Sequence, residues 1–273
     1  MNGETVLITG STDGLGRHLA VRLGGAGARV LVHGRDGRRA GLVRSQILAA
    51  GGPDPVVLLA DLAELGQVDR LADDVARHVD RLDVLVNNAG VGFGRPGAAR
   101  RLSADGVELR FAVNHLAGYR LTRLLLPLLR SSTAARIVNV ASAGQHPIDF
   151  ADPMLERHYD GVTAYRRSKL AQIMSGFDLA DELRGEVTVN SLHPASFMDT
   201  TMVHEAGTAP RSTVTQGSDA TLRLITGAAS RLTGRYFNGE REDRANDQAY
   251  DPHARRRLQQ LSDELIAAAH TRR

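Results

Sequence analysis

The chain has 273 residues and no cysteine, and its 34 basic against 31 acidic residues leave a formal charge of +3. The length is ample for a buried core without staples. The missing thiols exclude disulfides, thiolate zinc sites, iron–sulfur clusters and cysteine nucleophiles. A hydrophobic fraction of 42% with 24% charged residues is an ordinary soluble balance.

Charge of both signs alternates along the chain. The longest basic run, Arg255-Arg256-Arg257, reads as a solvated helix face, so no nucleic-acid partner is expected. The N-terminus enters Thr5-Val6-Leu7-Ile8-Thr9 with no basic and apolar leader, and no apolar stretch approaches ~18 residues. The expectation is therefore a cytoplasmic protein without signal peptide or membrane span. Of the 34 basic residues one is lysine, Lys169, and the rest are arginine. A lone lysine in such a chain asks for a chemical reason.

In chain order, strands are expected at Thr5–Thr9, Arg29–His33, Val56–Ala60, Val84–Asn87, Arg136–Ala141, Val187–Leu192 and Gly234–Phe237. They are continuous apolar runs, which suits strands buried on both faces. Between them lie helical patterns. Val68, Leu71, Ala72, Val75 and Val79 fall on one helix face, and Leu170, Ile173, Met174, Phe177 and Leu183 suggest another. Residues 240–248 read as an exposed loop, and a last helix is expected over about 252–269. No linker or repeat interrupts the alternation. It predicts one α/β domain over 1–273, a doubly wound parallel sheet of about seven strands with helices on both faces.

The first strand runs into Thr9-Gly10-Ser11-Thr12-Asp13-Gly14-Leu15-Gly16. Glycines at a strand-to-helix turn allow close backbone approach to a pyrophosphate, and the helix N-terminus favours its charge. A ribose-binding acid is expected about 20 residues further on, at the end of the second strand. The chain has Val32-His33-Gly34-Arg35-Asp36 there. Gly34 stands at the expected acid position and Arg35 follows. A guanidinium in place of a carboxylate favours a 2′-phosphate, hence NADP(H) over NAD(H). Alternatively Arg35 is a surface residue and Asp36 a late acid, although Asp36 suits the N-cap of the next helix better. Ser11 can add a hydroxyl contact.

Further on stand Asp61-Leu62, Asn87-Asn88-Ala89-Gly90, Val113-Asn114-His115-Leu116, a strand ending in Ser142, and Tyr165-Arg166-Arg167-Ser168-Lys169. With the glycine pattern Thr-Gly-x-x-x-Gly-x-Gly, these motifs resemble the short-chain dehydrogenase/reductase family, classical type. The ordered matches run from Thr9 to about Thr201. Val-Asn-His-Leu and Tyr-x-x-Ser-Lys-Leu-Ala are most similar to the retinol-dehydrogenase-like branch. The resemblance implies a Rossmann-type fold and an NADP(H)-dependent oxidoreductase acting on a carbonyl/alcohol pair. It implies catalytic roles for Asn114, Ser142, Tyr165 and Lys169, with Asn114 steadying a water that links Lys169 to solvent. It implies cofactor contacts from Gly10, Ser11, Asp13, Gly14, Leu15, Gly16, Arg35, Asp61, Leu62, Asn88, Ala89, Gly90, Tyr165, Lys169, Pro194, Phe197 and Thr200.

The residues support that chemistry directly. Tyr165 and Lys169 are four apart, so they share a helix face. An ammonium and a cationic nicotinamide should lower a phenol whose ordinary pKa is near ~10, which suits Tyr165 to act as general acid in reduction. Ser142, at a strand's carboxyl end, can hold the substrate oxygen. After the sixth strand, His193-Pro194-Ala195 has alanine where the family has glycine, and the threonine comes one place late. Thr200 or Thr201 takes its role, and Asp199 is expected to cap the short helix that follows. The histidines lack metal-ligand spacing, so no metal is expected.

The interval from Ser142 to Tyr165 is long for the classical type. Its insert, about 146–162, holds Pro147, Phe150, Met154, Leu155 and Tyr159, and should wall the substrate site together with 198–215. Val91 to Arg95 supply a floor. With no anionic clamp among them, a small, neutral, moderately apolar carbonyl or alcohol is expected, and a homo-oligomer is possible. Two alternatives are a regulatory module that binds NADP without turnover, and a same-fold enzyme using hydride transfer in a composite reaction such as epimerisation. The retained Tyr165 and Lys169 weigh against the first, and the glycine spacing against the second.

Overall fold

The structure is a computed structural model describing residues 1–271, so the last two positions of the expected 1–273 span lie outside the described residues. Its first half alternates strictly: β1 (Thr5–Ile8), α1 (Gly14–Gly25), β2 (Arg29–Gly34), α2 (Gly37–Ala49), β3 (Val56–Leu59), α3 (Leu65–His78) and β4 (Val84–Asn87). A long helix follows in three parts: α4 (Leu109–Phe111), a π-helical segment (Ala112–Leu116) and α5 (Ala117–Arg130). Then come β5 (Arg136–Val140), α6 (Gly161–Glu182), β6 (Thr188–His193), α7 (Thr201–Glu205), α8 (Val214–Ile225), β7 (Arg235–Asn238), β8 (Arg241–Asp243) and α9 (Pro252–Thr271).

The strands form one sheet in the order β3-β2-β1-β4-β5-β6-β7-β8. Pairings from β3 to β7 are parallel, and β8 pairs antiparallel with β7. The continuous apolar runs have their predicted cause, because each strand feeds two cores by turns. Leu7, Leu31, Leu85 and Ile137 pack with α3, α5, α6 and α9 on one face. Val6, Ile8, Val30, Val32, Val86 and Val138 pack with α1, α2 and α8 on the other. This is the doubly wound Rossmann-type architecture, with sheet order reversing between β1 and β4.

The eighth strand corrects the expectation of an exposed loop over 240–248. Arg241-Glu242-Asp243 are all exposed and pair with Phe237 and its neighbours across a tight turn at Gly239, whose φ is +59°. Nothing apolar marks this strand, because its backbone does the pairing and its charges blunt the sheet edge. A short 3₁₀ turn, Asp247–Tyr250, occupies the rest of that stretch.

Candidate active site

The carboxyl ends of the strands gather the motif residues at one edge of the sheet, where the order reverses. The first turn is fixed by contacts that only glycine permits. Gly10 has a φ of +65°, and a Cβ there would lie 2.9 Å from the Ala89 Cα. A Cβ on Gly16 would lie 2.3 Å from the Gly10 carbonyl oxygen. Asn88 holds the loop from the next strand, donating from Nδ2 to the Thr9 (2.8 Å) and Gly10 (3.2 Å) carbonyls. The Thr9 hydroxyl in turn accepts from the backbone N–H of Asn88 and Ala89 at 3.0 and 3.1 Å.

His33 supplies a contact that the sequence alone did not single out. Its Nδ1 accepts from the Gly10 N–H at 3.1 Å while Nε2 lies 3.2 Å from the Ala60 carbonyl. The ring thus bridges β1, β2 and β3 as a neutral imidazole, and burial pulls its pKa down to about 4. Ser11, fully buried, exchanges hydrogen bonds with the His33 backbone.

At the end of β2, a Cβ on Gly34 would lie 2.4 Å from Thr12 Cγ2, so Thr12 fills the space that an acidic side chain would need. Arg35 is exposed beside the Asp61 carboxylate, 3.4 Å away. Asp61 also accepts from the Ala63 N–H at 2.9 Å, and Leu62 is buried. Asp36 is the N-cap of α2, accepting from the Arg38 and Arg39 N–H groups, as expected in preference to a late acid.

The long helix α6 carries the Tyr-x-x-x-Lys motif. It starts at Asp160, whose carboxylate caps the Val162 and Thr163 N–H groups. Tyr165 and Lys169 follow on one face, with Nζ 6.0 Å from the phenol ring centroid. Lys169 is 3% exposed, and Nζ donates to the Val140 carbonyl at 2.7 Å and to Gln172 Oε1 at 3.3 Å. Burial alone draws its pKa down to about 7. Ser142, just past β5, places its hydroxyl beside the Tyr165 phenol, where it favours the phenolate. Burial nevertheless keeps that phenol above its usual value in the protein by itself, and Ser142 offsets this only in part. The ammonium was expected to lower it, but in this setting desolvation outweighs any attraction.

Asn114 lies in the π-helical segment. Its Oδ1 accepts from the Val91 N–H at 2.7 Å, and Nδ2 donates to the Val91 carbonyl (3.1 Å) and to Ser168 Oγ (2.9 Å). The side chain therefore clamps the segment after Gly90 to α6. A Cβ on Gly90 would lie 3.6 Å from Lys169 Nζ, so this glycine borders the same site.

The family description "short chain dehydrogenase" matches residues 4–211. The chain belongs to the short-chain dehydrogenase family. It is an oxidoreductase of the alcohol and carbonyl class. It is 36% identical to Retinol dehydrogenase 14 of Mus musculus over 293 residues, 97% of this chain and 86% of that protein. It is 39% identical to DnrU of Streptomyces sp. (strain C5), a candidate daunorubicin C-13 ketoreductase, over 70% of this chain and 65% of the other. Among solved structures, a candidate short chain dehydrogenase of Escherichia coli CFT073 complexed with NADPH superposes with a TM-score of 0.74 at 27% identity. The match covers 88% of this chain and 98% of that one.

In this short-chain dehydrogenase the segment from Phe197 to Glu205 closes over the cleft. Thr201 Oγ1 donates to Asp13 Oδ2 at 2.7 Å, while Asp13 Oδ1 caps the Gly14 N–H. Arg39 also reaches Asp13, at 3.3 Å. Thr200 turns its methyl over Gly14 and is itself the N-cap of α7. Asp199 does not cap α7 as expected. Its carboxylate meets His204 Nε2 at 2.7 Å, one turn along. Phe197 has a φ of +49° and lies under Arg211, and Pro194 faces Gly217 of α8. Met202 seats on Gly92, which joins this segment to the 91–95 loop.

The dehydrogenase's insert is held by residues that the sequence left unremarked. Buried Arg110 donates from Nε to the Gly92 carbonyl (2.9 Å) and from Nη2 to the Phe93 carbonyl (2.8 Å). It pairs with buried Glu108 at 3.3 Å, and the Tyr159 hydroxyl donates to that carboxylate at 3.0 Å. Phe93 thereby stands edge-on to Tyr165, with ring centroids 5.9 Å apart. Met154 and Leu155 turn inward and are buried, whereas Phe150 stays partly exposed.

Proposed function

We propose that this enzyme transfers a hydride between NADP(H) and a neutral, moderately apolar carbonyl or alcohol, with Tyr165 as the general acid/base. The observation that carries the reading is the joining of the Ser142 hydroxyl, the Tyr165 phenol and the Lys169 amine beside a glycine turn built for close backbone approach.

The turn at Gly10–Gly16, the Asn88-Ala89-Gly90 segment, Tyr165, Lys169 and the strap at Pro194–Thr201 would hold the dinucleotide, with Asp61-Leu62 beside its adenine end. Gly34 excludes a ribose-binding carboxylate at its position and Arg35 offers a guanidinium beside it, which supports the 2′-phosphate form. When bound, the nicotinamide supplies or accepts the hydride. Ser142 holds the substrate oxygen. In reduction Tyr165 donates its proton to that oxygen, and a half-buried phenol held above its usual pKa stays protonated at neutral pH for this purpose. Lys169 gives its remaining hydrogen bond to the ribose, and Asn114 steadies the loop and a water leading to solvent. Phe93, beside Tyr165, gives the substrate side an apolar ring.

The test is NADPH oxidation at fixed enzyme against a panel of ketones and aldehydes, with Tyr165→Phe as the blank. Turnover that is preferential for apolar carbonyls and absent in the blank is expected. Equal rates with NADH and NADPH would overturn the cofactor assignment, and no turnover on any carbonyl would overturn the reaction.

A further inference from the structure

Lys169 is the chain's one lysine, and its amine is buried. An ammonium has three donors. One is spent on the Val140 carbonyl at 2.7 Å and one on Gln172 Oε1 at 3.3 Å. Gln172 stands one turn along the same helix, is itself 6% exposed, and donates from Nε2 to the Asn87 carbonyl at 3.1 Å. That second bond fixes the amide's orientation. With the amide turned over, its NH2 would face the ammonium and its oxygen would face a carbonyl, two repulsive contacts in place of two hydrogen bonds.

Behind Gln172 lies a cavity of about 30 Å³ between α5 and α6, whose mixed lining includes Asn87, Thr122, Asn139 and Ser175 beside Leu179. Asn87 is anchored there by Nδ2, which donates to Thr122 Oγ1 and Asn139 Oδ1, both at 3.0 Å. Its buried Oδ1 has no partner among the described residues, and the cavity has room for a water to serve it. Gln172 is thus backed by a hydrogen-bonded run through Asn87 to Thr122 and Asn139.

We propose that Gln172 is a positioning residue for the reaction: its amide oxygen, aimed by the Asn87 carbonyl, holds the buried Lys169 amine in place and in its charged form. A neutral acceptor suits this task. A carboxylate there would also hold the ammonium, but would cancel the positive charge that Tyr165 needs nearby. The proposal rests on the hydride-transfer reading for its consequence and on geometry for its mechanism.

Few other groups bear on the amine. Tyr165, on the same helix, is the titratable side chain set against it, and Tyr236 lies beyond Tyr165 on β7. The neighbouring elements offer the Val140 carbonyl, Gly90 and Asn114, none of which titrates. Across the cavity stand His115, neutral with its pKa drawn down to about 3 by burial, and Tyr119 and Arg123.

The lone lysine makes a direct test possible. Full-length protein labelled with ¹³C at lysine Cε gives one resonance, whose titration midpoint reads the amine alone. Gln172→Met should lower that midpoint by about one pH unit or more, and Gln172→Glu should raise it. In alcohol oxidation, the acid limb of the kcat–pH profile should move to higher pH in both variants, because each weakens the positive charge beside Tyr165. A folded Gln172→Met whose lysine titrates as in the wild type overturns the proposal, as does a fall in kcat with an unmoved limb. If Gln172→Met does not fold, an unshifted midpoint in Gln172→Glu overturns it equally. Absence of any turnover in the wild type would overturn the functional reading, while the titration would still decide what holds the amine.

Discussion

Lys169 and Arg35 show what a single side chain can and cannot disclose before its surroundings are known. Lys169 stood out by number alone, and the structure supplies a reason: Nζ is enclosed by the Val140 carbonyl, Gln172 and Gly90. A guanidinium is planar, wider and unable to relay a proton. Lys169→Arg should therefore cut turnover by more than ~10-fold while the protein stays folded, read by single-turnover hydride transfer alongside thermal unfolding. A wild-type rate in the folded variant would mean that charge alone suffices. Arg35 is exposed and shared with Asp61, so its contribution to NADPH binding should sit at the low end for hydrogen bonds to charged groups. Arg35→Ala should weaken NADPH by about 1.5 kcal/mol and leave NADH nearly unchanged in titration. Tyr165, Ser142 and Asn114 were legible because motif order fixes them. Gln172 was not singled out, although its spacing of three from Lys169 on a helix predicts contact. Arg110 has no such signal, since its partners come from loops whose course the sequence does not show.

Among the elements, the parallel strands and the helices between them were readable because burial on both faces writes continuous apolar runs. β8 was hidden, because an edge strand of Arg241, Glu242 and Asp243 buries nothing. The insert was readable as an insert but not as a fastened one. Its anchor is the buried Glu108–Arg110 pair, which ties Tyr159 to the carbonyls of Gly92 and Phe93. Breaking a buried pair by removing one partner strands the other charge. Arg110→Met should cost about 3–5 kcal/mol in urea unfolding, while Tyr159→Phe should cost only about 1 kcal/mol. If the Arg110 variant loses no more than the Tyr159 variant, the pair is not what fastens these loops. The close approach of the Phe93 carbonyl to α6 explains Gly161, where a Cβ would lie 2.5 Å from that oxygen.

Across the whole molecule, two buried imidazoles join distant parts of the chain. His33 links three strands to the glycine turn, and His115 Nε2 meets Ser262 Oγ of α9 at 2.9 Å, tying the C-terminal helix to the π-helical segment. Both are neutral in the fold, with pKa values drawn down to about 4 and about 3 by burial. Their unfolded values lie near 6.5, so between those limits the unfolded chain binds more protons. Stability should be unaffected by these groups above pH ~6.5 and fall as pH drops below it, by about 1.4 kcal/mol per pH unit for each histidine. Urea unfolding from pH 7 to pH 4.5 checks this; a halved slope would mean that one ring takes up its proton in the fold, and a flat profile that both do. The α9 helix was expected from the sequence, but its attachment through His115 was not, because a histidine inside Val-Asn-His-Leu reads as part of the motif.

The central claim is hydride transfer with proton donation by Tyr165. The most direct measurement follows NADPH carrying deuterium at both nicotinamide C4 positions in a single turnover with an apolar ketone, in wild type and Tyr165→Phe. The account predicts deuterium on the alcohol carbon of the product, and a rate at least ~100-fold lower in the variant with NADPH affinity retained. Product without deuterium, or a variant transferring at the wild-type rate, would contradict it.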